Sequence, residues 1–136
     1  MELVGGYLLE YRLDIFAWCE SEEAEMSAID TYYGYVGSAK AVHTFEGWKI
    51  GILRYSDRFS DFKVKERHLL TDECFVLLEG SATLYENDTP YTMEKCKVYN
   101  IKKGVWHHIV VSEDATVLVI ENSNTSKDNT ERISVL

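Results

Sequence analysis

Short apolar runs alternate with turn-forming residues along most of the chain from Trp48 onward. The runs are four to eight residues long and show no helical period, which is typical of an all-β sandwich or barrel. Two of them, at residues 75–78 and 117–120, are apolar at every position, as expected of strands that are covered on both faces. The pattern predicts eight strands, at residues 48–55, 62–68, 73–79, 81–86, 91–94, 97–101, 105–111 and 116–121.

The two ends of the chain lack this pattern. Residues 1–47 include an acidic run near Glu22 and a glycine-punctuated aromatic stretch at 32–37, and we predict that they form an N-terminal extension packed on the barrel. Residues 122–136 are rich in Asn, Ser, Thr and charged side chains, and we predict a loop or a surface-draped tail. The predicted barrel therefore comprises residues 48–121.

Apolar residues in the N-terminal extension predict self-association. Tyr32, Tyr33, Tyr35 and Val36 provide aromatic and aliphatic surface that one small barrel does not cover. Edge strands of a sheet also pair readily across a two-fold axis. We therefore expect a homodimer.

Composition and charge narrow the classes of partner. The chain has 136 residues, of which 46% are hydrophobic, enough for one globular domain with its own core. Fourteen Lys and Arg against 23 Asp and Glu give a net charge of −9. Lys102 and Lys103 are the only two adjacent positive residues of this acidic sequence, and we therefore expect no nucleic-acid partner.

The sequence also predicts a cytoplasmic protein with reduced thiols. No apolar run approaches the roughly 18 residues needed to span a bilayer, so we expect no membrane association. The first residues have neither a positive region nor a sustained apolar region of a secretory signal. Cys19, Cys74 and Cys96 are odd in number and form no C-x-x-C pair, and we expect them to be unreactive structural thiols without a disulfide.

A cluster of carboxylates and imidazoles is the most informative chemical feature of the sequence. Glu66 and His68 lie two residues apart on a predicted strand, so they face the same side of the sheet. Glu73 returns on the next strand, and strand parity allows only one of the adjacent pair His107 and His108 to face the same cluster. Oxygen and nitrogen ligands of this kind suit a divalent transition metal.

These residues resemble the first conserved motif of the cupins. That motif reads glycine, five residues, His-x-His, three or four residues, Glu, six residues and Gly. In this chain Ser60 stands at the first glycine and Glu66 at the first histidine, whereas His68, Glu73 and Gly80 match the motif.

A second cupin motif, Pro-x-Gly-x-x-His-x-x-x-Asn, resembles residues 102–111. Gly104 and His107 match it, whereas Lys102 and Val111 depart from it. The resemblance covers about residues 48–121. It implies the cupin fold, which is a double-stranded β-helix or jelly roll built as an all-β barrel.

The resemblance also implies a metal site. In metal-binding cupins the motif residues are the usual ligands, which carries over here to His68, Glu73 and His107, with Glu66 as the fourth ligand or, if it is not a ligand, as the general base. The ion expected is one divalent transition metal, Mn, Fe, Ni or Zn. His108 is expected to face away from the cluster and to have a structural role.

Three functions agree with this sequence. The first is a metal-dependent cupin enzyme, of lyase, isomerase or dioxygenase type, that acts on a small polar metabolite. The second is a non-catalytic cupin that binds a small-molecule ligand in the barrel. The third is a structural dimer with a filled barrel interior. The glutamate at position 66 leaves the choice open, because an intact histidine pair would favour catalysis.

Overall fold

The computed structural model describes residues 28–32 and 41–135 of the chain. The chain divides into two compact units, residues 1–33 and 34–136. In the first unit, the described residues 28–32 form no strand or helix. The predicted N-terminal extension therefore lies largely outside the described residues, as do Tyr33, Tyr35, Val36 and Cys19.

Ten strands form the described part of the second unit, and the prediction of an all-β fold is confirmed. All eight strands that the apolar pattern predicts are present as β2 to β9, and one further strand lies on each side of them. In chain order the strands are β1 (Ala41–Phe45), β2 (Trp48–Arg54), β3 (Val64–His68), β4 (Glu73–Glu79), β5 (Ala82–Glu86), β6 (Thr89–Thr92), β7 (Val98–Ile101), β8 (His107–Val111), β9 (Thr116–Asn122) and β10 (Thr130–Ser134).

The strands form two five-stranded sheets whose neighbouring strands pair antiparallel. The strand order is β1-β2-β9-β4-β7 in one sheet and β10-β3-β8-β5-β6 in the other. Successive strands such as β3 and β4 therefore lie in different sheets, which is the jelly-roll arrangement.

The hydrophobic core lies between the two sheets. The first sheet contributes side chains such as Phe75 and Val117, and the second contributes side chains such as Leu84 and Ile109. Strands β4, β5 and β9 bury alternate positions and therefore one face, whereas β8 also buries His108 on its other face. Phe59, in the short 3-10 turn between β2 and β3, also belongs to this core.

The structure differs from the predicted tail at β10. Residues 130–134 pair with β3 along its whole length, with Arg132 opposite Glu66 and Ile133 opposite Lys65. Four of the five residues of this edge strand are exposed, so the strand needs no apolar stripe. The backbone ladder holds it in place, and the sequence pattern therefore misses it.

A smaller difference concerns β6, which begins at Thr89 rather than at the predicted residue 91. Asn87 and Asp88 form a two-residue turn, with Glu86 paired to Thr89 and a positive φ of 55° at Asn87. Pro90 thus belongs to the strand. Because β6 is the edge of its sheet, the missing N–H of proline breaks no ladder there.

Two further expectations concern membranes and thiols. No helix among the described residues is long and apolar enough to cross a membrane. Cys74 and Cys96 are free thiols. Burial, together with the charges of Asp72 and Glu73, raises the pKa of the Cys74 thiol, which lowers its reactivity.

Candidate functional site

Three strands bring the predicted site residues to one interior surface. Glu66 and His68 share one face of β3, and His107 on β8 lies directly opposite Glu66 in the β3–β8 ladder. Glu73, the first residue of β4, comes from the other sheet. All four side chains therefore line the same cavity, at one end of the space between the sheets.

Glu73 is the centre of this cluster. Its Oε1 lies 3.0 Å from Nε2 of His68 and 2.9 Å from Nε2 of His107. Burial alone would raise the pKa of Glu73, but the hydrogen bonds and charges of the two histidines outweigh burial and lower it to about 2. Glu73 is therefore an anion throughout the physiological pH range.

The other ring nitrogen of each histidine is also held. Nδ1 of His107 donates to the carbonyl oxygen of Val105 at 2.9 Å, and Nδ1 of His68 lies 2.9 Å from the hydroxyl of Thr130. Such contacts fix the rotation of each imidazole, as in the supporting contacts of metal-bound histidines. Both rings consequently direct Nε2 at the same carboxylate oxygen.

The charge state of His68 reflects three surrounding carboxylates. Burial disfavours the imidazolium form, but the hydrogen bond and charge of Glu73, with the charges of Glu66 and Glu121, more than compensate and raise the pKa of His68. The site therefore attracts a positive charge at this position.

Glu121 belongs to the site and was missed by the sequence analysis. It lies opposite Glu73 in the β4–β9 ladder, and its Oε1 is 4.0 Å from Nε2 of His68. This oxygen is buried and has no hydrogen-bond partner within residues 28–32 and 41–135. Burial, followed by the charge of Glu73, raises the pKa of Glu121.

A sequence signal for Glu121 exists in strand parity. Val117 and Val119 are buried inward-facing residues of β9, and Glu121 follows at the same spacing. A carboxylate that continues the inward face of a core strand is unusual, because burial of a charge needs a compensating partner. Parity alone could therefore have marked it as a site residue.

Glu66 differs from the other carboxylates because arginines bind it. Nε of Arg132 donates to Oε1 of Glu66 at 2.8 Å, and Nη2 of Arg58 donates to Oε2 at 3.2 Å. The resemblance placed Glu66 at a ligand position, and its carboxylate does lie within 4.8 Å of ligand atoms of His68 and His107. Glu66 thus lies between the buried histidines and the two exposed arginines.

His108 faces a different environment, as strand parity predicts. Its ring stacks on Phe59 and Phe62, and its Nε2 lies 3.2 Å from the carbonyl oxygen of Asp61. Burial lowers the pKa of His108. The ring borders the cavity but does not contact Glu73, so a structural role for His108 remains the expectation.

The cluster lies in a cavity of about 420 Å³. Apolar side chains such as Leu53 and Phe75 form one part of the wall, and the histidines and carboxylates form another. Convergent charged and polar groups beside an apolar wall, in a concave site, are typical of small-molecule binding. The cationic residues Arg58, Lys127 and Arg132 complete the lining.

Two overlapping groups of side chains could hold a metal ion among the described residues. One is Glu66, His68 and His107, and the other is His68, Glu73 and Glu121. Within each group the ligand atoms lie within 4.8 Å of one another, and His68 is common to both. Two imidazoles and several carboxylates are a donor set suited to Mn, Fe, Ni or Zn.

Known structures share this architecture. A cupin-2 domain containing protein from Shewanella frigidimarina superposes with a TM-score of 0.53 at 20% identity, over 76% of this chain and 93% of that one. A protein from Neisseria meningitidis gives 0.52 at 16% identity, over 78% and 100% of the two chains. KdgF from a Halomonas species gives 0.50 at 13% identity, over 61% and 76%.

Two comparisons at the level of sequence found no match for this chain. No protein-family model matches it, and no curated protein matches it significantly. Likeness to structures at such low identity establishes the fold and leaves the activity to be argued from the site. The chain is therefore a cupin-fold protein, as its two sequence motifs predict.

Proposed function

We propose that this protein is a metal-dependent enzyme that acts on a small polar metabolite, with one divalent transition metal ion held by His68, Glu73 and His107. The observation that carries the proposal is the convergence of two imidazoles on one carboxylate oxygen. The orientation of each imidazole is fixed by a contact of its other ring nitrogen. Nδ1 of His107 contacts the carbonyl oxygen of Val105, and Nδ1 of His68 contacts the hydroxyl of Thr130. An arrangement of this kind orients nitrogen lone pairs toward a common point.

The hydrogen on Nδ1 of His107 supports a cation at this point. Because Nδ1 donates to a carbonyl oxygen, a neutral His107 ring has its lone pair on Nε2. That lone pair would then face the ionised carboxylate of Glu73 at 2.9 Å. Only a proton or a metal ion between the two atoms makes the contact favourable.

The separations also suit coordination. Two ligands bound at about 2.1 Å and at about 90° to each other are about 3.0 Å apart. The contacts of Glu73 with His68 and His107 measure 3.0 and 2.9 Å. Oε1 of Glu121 is buried beside these ligands and has no hydrogen-bond partner among the described residues, so this oxygen is available to a bound substrate.

Glu73 and Glu121 can have different roles in the reaction. A bound ion supplies Lewis acidity toward a carbonyl or similar oxygen. Glu73 contacts both imidazoles and remains ionised because its pKa is low, whereas Oε1 of Glu121 has no hydrogen-bond partner among the described residues and can accept a proton. We therefore propose Glu121 as the general base in place of Glu66, whose oxygens are held by two arginines.

Metal content and a metabolite screen test this function. Protein purified without chelator should contain close to one equivalent of a transition metal. A thermal-shift screen of small polar metabolites, with metal-loaded and chelator-treated protein, should then give hits that need the metal, and turnover of a hit should be lost in Glu121→Gln. Metal-free protein that binds metabolites equally well without turnover would favour the non-catalytic binding function instead.

A further inference from the structure

The opening of the cavity is cationic although the chain is acidic. The chain has a net charge of −9, yet Arg58, Lys127 and Arg132 all line this one cavity. They come from three separate segments, namely the 3-10 turn before β3, the short turn before β10 and β10 itself. The fold thus brings Arg58 next to two cations from the C-terminal part of the sequence.

Two of these cations are oriented by their neighbours. The guanidinium of Arg58 lies over the ring of the buried Phe59, 4.8 Å from its centroid, and donates to Glu66. Arg132 donates to the same carboxylate through Nε. Within the described residues, the terminal nitrogens of Arg132 and the remaining nitrogens of Arg58 have no further hydrogen-bond partner in the protein.

The charges at the opening do not cancel. Glu66 carries one negative charge and pairs with both arginines, and Lys127 forms no ion pair within the described residues. The opening therefore keeps a positive excess. Glu73 and Glu121 do not offset it, because Glu73 pairs with the histidines and Glu121 lies near Lys49.

We propose that Arg58, Lys127 and Arg132 form an oxyanion-binding subsite, and that the small molecule bound in the cavity carries a carboxylate or phosphate group. Guanidinium groups present paired donors that match both anions. A cavity of about 420 Å³ accommodates a small metabolite that reaches from this subsite to the histidines. The inference deepens the proposed function, since it names the substrate class of the same site.

Glu66 then has a positioning role. It stands where the cupin motif has a histidine, and its carboxylate holds the two guanidinium groups at the opening. Its charge also competes with an incoming anion for the same donors. Removal of this charge should therefore strengthen anion binding, provided that the arginines remain in place.

Isothermal titration of the full chain with inorganic phosphate and with succinate tests the subsite, and succinamide serves as the neutral control ligand. Arg132→Gln and Arg58→Gln should each weaken anion binding by about tenfold or more, the loss expected for one charged hydrogen-bonding contact. Glu66→Gln should bind the anion more tightly. The relative affinity for phosphate and succinate identifies the oxyanion that the subsite prefers.

Arg67→Gln is the matched control. Arg67 is next to Glu66 on β3 and pairs with Glu131 of β10, but its guanidinium lies over Trp106 on the other face of the sheet. This substitution removes the same charge and also an ion pair between the same two strands. It should leave anion affinity unchanged within about twofold, because exposed charges at this distance are screened by salt.

The titrations are run on metal-loaded and on chelator-treated protein, with metal content measured in parallel. Equal weakening by Arg132→Gln and Arg67→Gln, or succinamide binding as tight as succinate binding, would overturn the subsite even if the metal site holds. Arginine-dependent anion binding in a protein that takes up no metal would support the subsite and refute the metal-dependent function. The two inferences therefore fail separately.

Discussion

The position of one hydrogen atom determines much of the chemistry of this site. Nδ1 of His107 is committed to the carbonyl of Val105, so only Nε2 can bind a metal. Glu73 completes the pair, since its Oε1 contacts both imidazoles. The contacts of the two Nδ1 atoms thus orient both Nε2 atoms as the proposed metal site requires.

Paired histidine substitutions test this account at the level of single residues. We expect His107→Ala to lower transition-metal affinity by at least about 100-fold, because it removes a ligand and not only a supporting contact. We expect His108→Ala to change metal affinity little, since its ring packs on Phe59 and Phe62 away from Glu73. Metal titration of both variants, with circular dichroism as the check of folding, gives the answer. Equal losses in the two variants would refute the assignment.

The pH dependence of metal stabilisation follows from His68. Its pKa is raised in the metal-free protein, so the proton stabilises the fold below the unfolded value of 6.5, and this contribution is lost as pH rises through the higher folded value. A metal ion binds only the deprotonated ring. We therefore expect the increase in melting temperature on adding Ni or Zn to grow from pH 6 to pH 8, as thermal unfolding at several pH values will show. A constant or shrinking increase would argue against His68 as a ligand.

At the scale of elements, two turns fix the geometry of the barrel. Gly80 and Gly104, which match the cupin motifs, both have positive φ, of 77° and 84°. A Cβ at Gly80 would lie 2.6 Å from Cα of Ala115, whereas a Cβ at Gly104 would meet no atom within 4 Å. Both positions therefore need a residue that tolerates a positive φ, but only Gly80 lacks space for a side chain.

This difference predicts unequal costs of substitution. Gly104→Ala should destabilise the protein by about 1 kcal/mol, the cost of a left-handed conformation for alanine. Gly80→Ala should cost a further 1–3 kcal/mol, roughly, because backbone atoms must move to admit the methyl group. Urea denaturation measures both free energies of unfolding. A smaller loss for Gly80→Ala than for Gly104→Ala would contradict the packing described here.

The predicted strands and the missed strand β10 are stabilised in different ways. Strands β2, β4, β5, β8 and β9 contain apolar residues that cover a core, and the pattern of those residues reveals them. Strand β10 is an exposed edge whose stability comes from its ladder with β3, so no pattern in residues 130–134 marks it.

The same reasoning applies to the site. Motif spacing and strand parity together predicted Glu66, His68, Glu73 and His107 as a cluster, because parity sets the face that each residue occupies and the resemblance to the cupin motifs brings the strands together. Thr130 and Arg132 reach the site only through the β3–β10 pairing, which involves residues about 60 positions apart. Contacts of that range are a property of the assembled fold.

For the whole molecule, the homodimer remains a prediction. Among the described residues, Phe45 at the end of the edge strand β1 and Trp48 at the start of β2 are 53% and 42% accessible. Exposed aromatic side chains beside an unpaired strand edge favour association with a second copy. Sedimentation at micromolar concentration should therefore give twice the 15.7 kDa mass of one chain. A particle of the mass of one chain would contradict this expectation.

The central claim, that His68, Glu73 and His107 hold a metal ion, is tested most directly by anomalous diffraction. Crystals of the protein soaked in Ni or Mn would be measured on either side of the absorption edge of the metal. We predict one strong anomalous peak per chain, at about 2.0–2.3 Å from Nε2 of both histidines and from an oxygen of Glu73. A peak bound elsewhere, or no peak at saturating metal, would contradict the account.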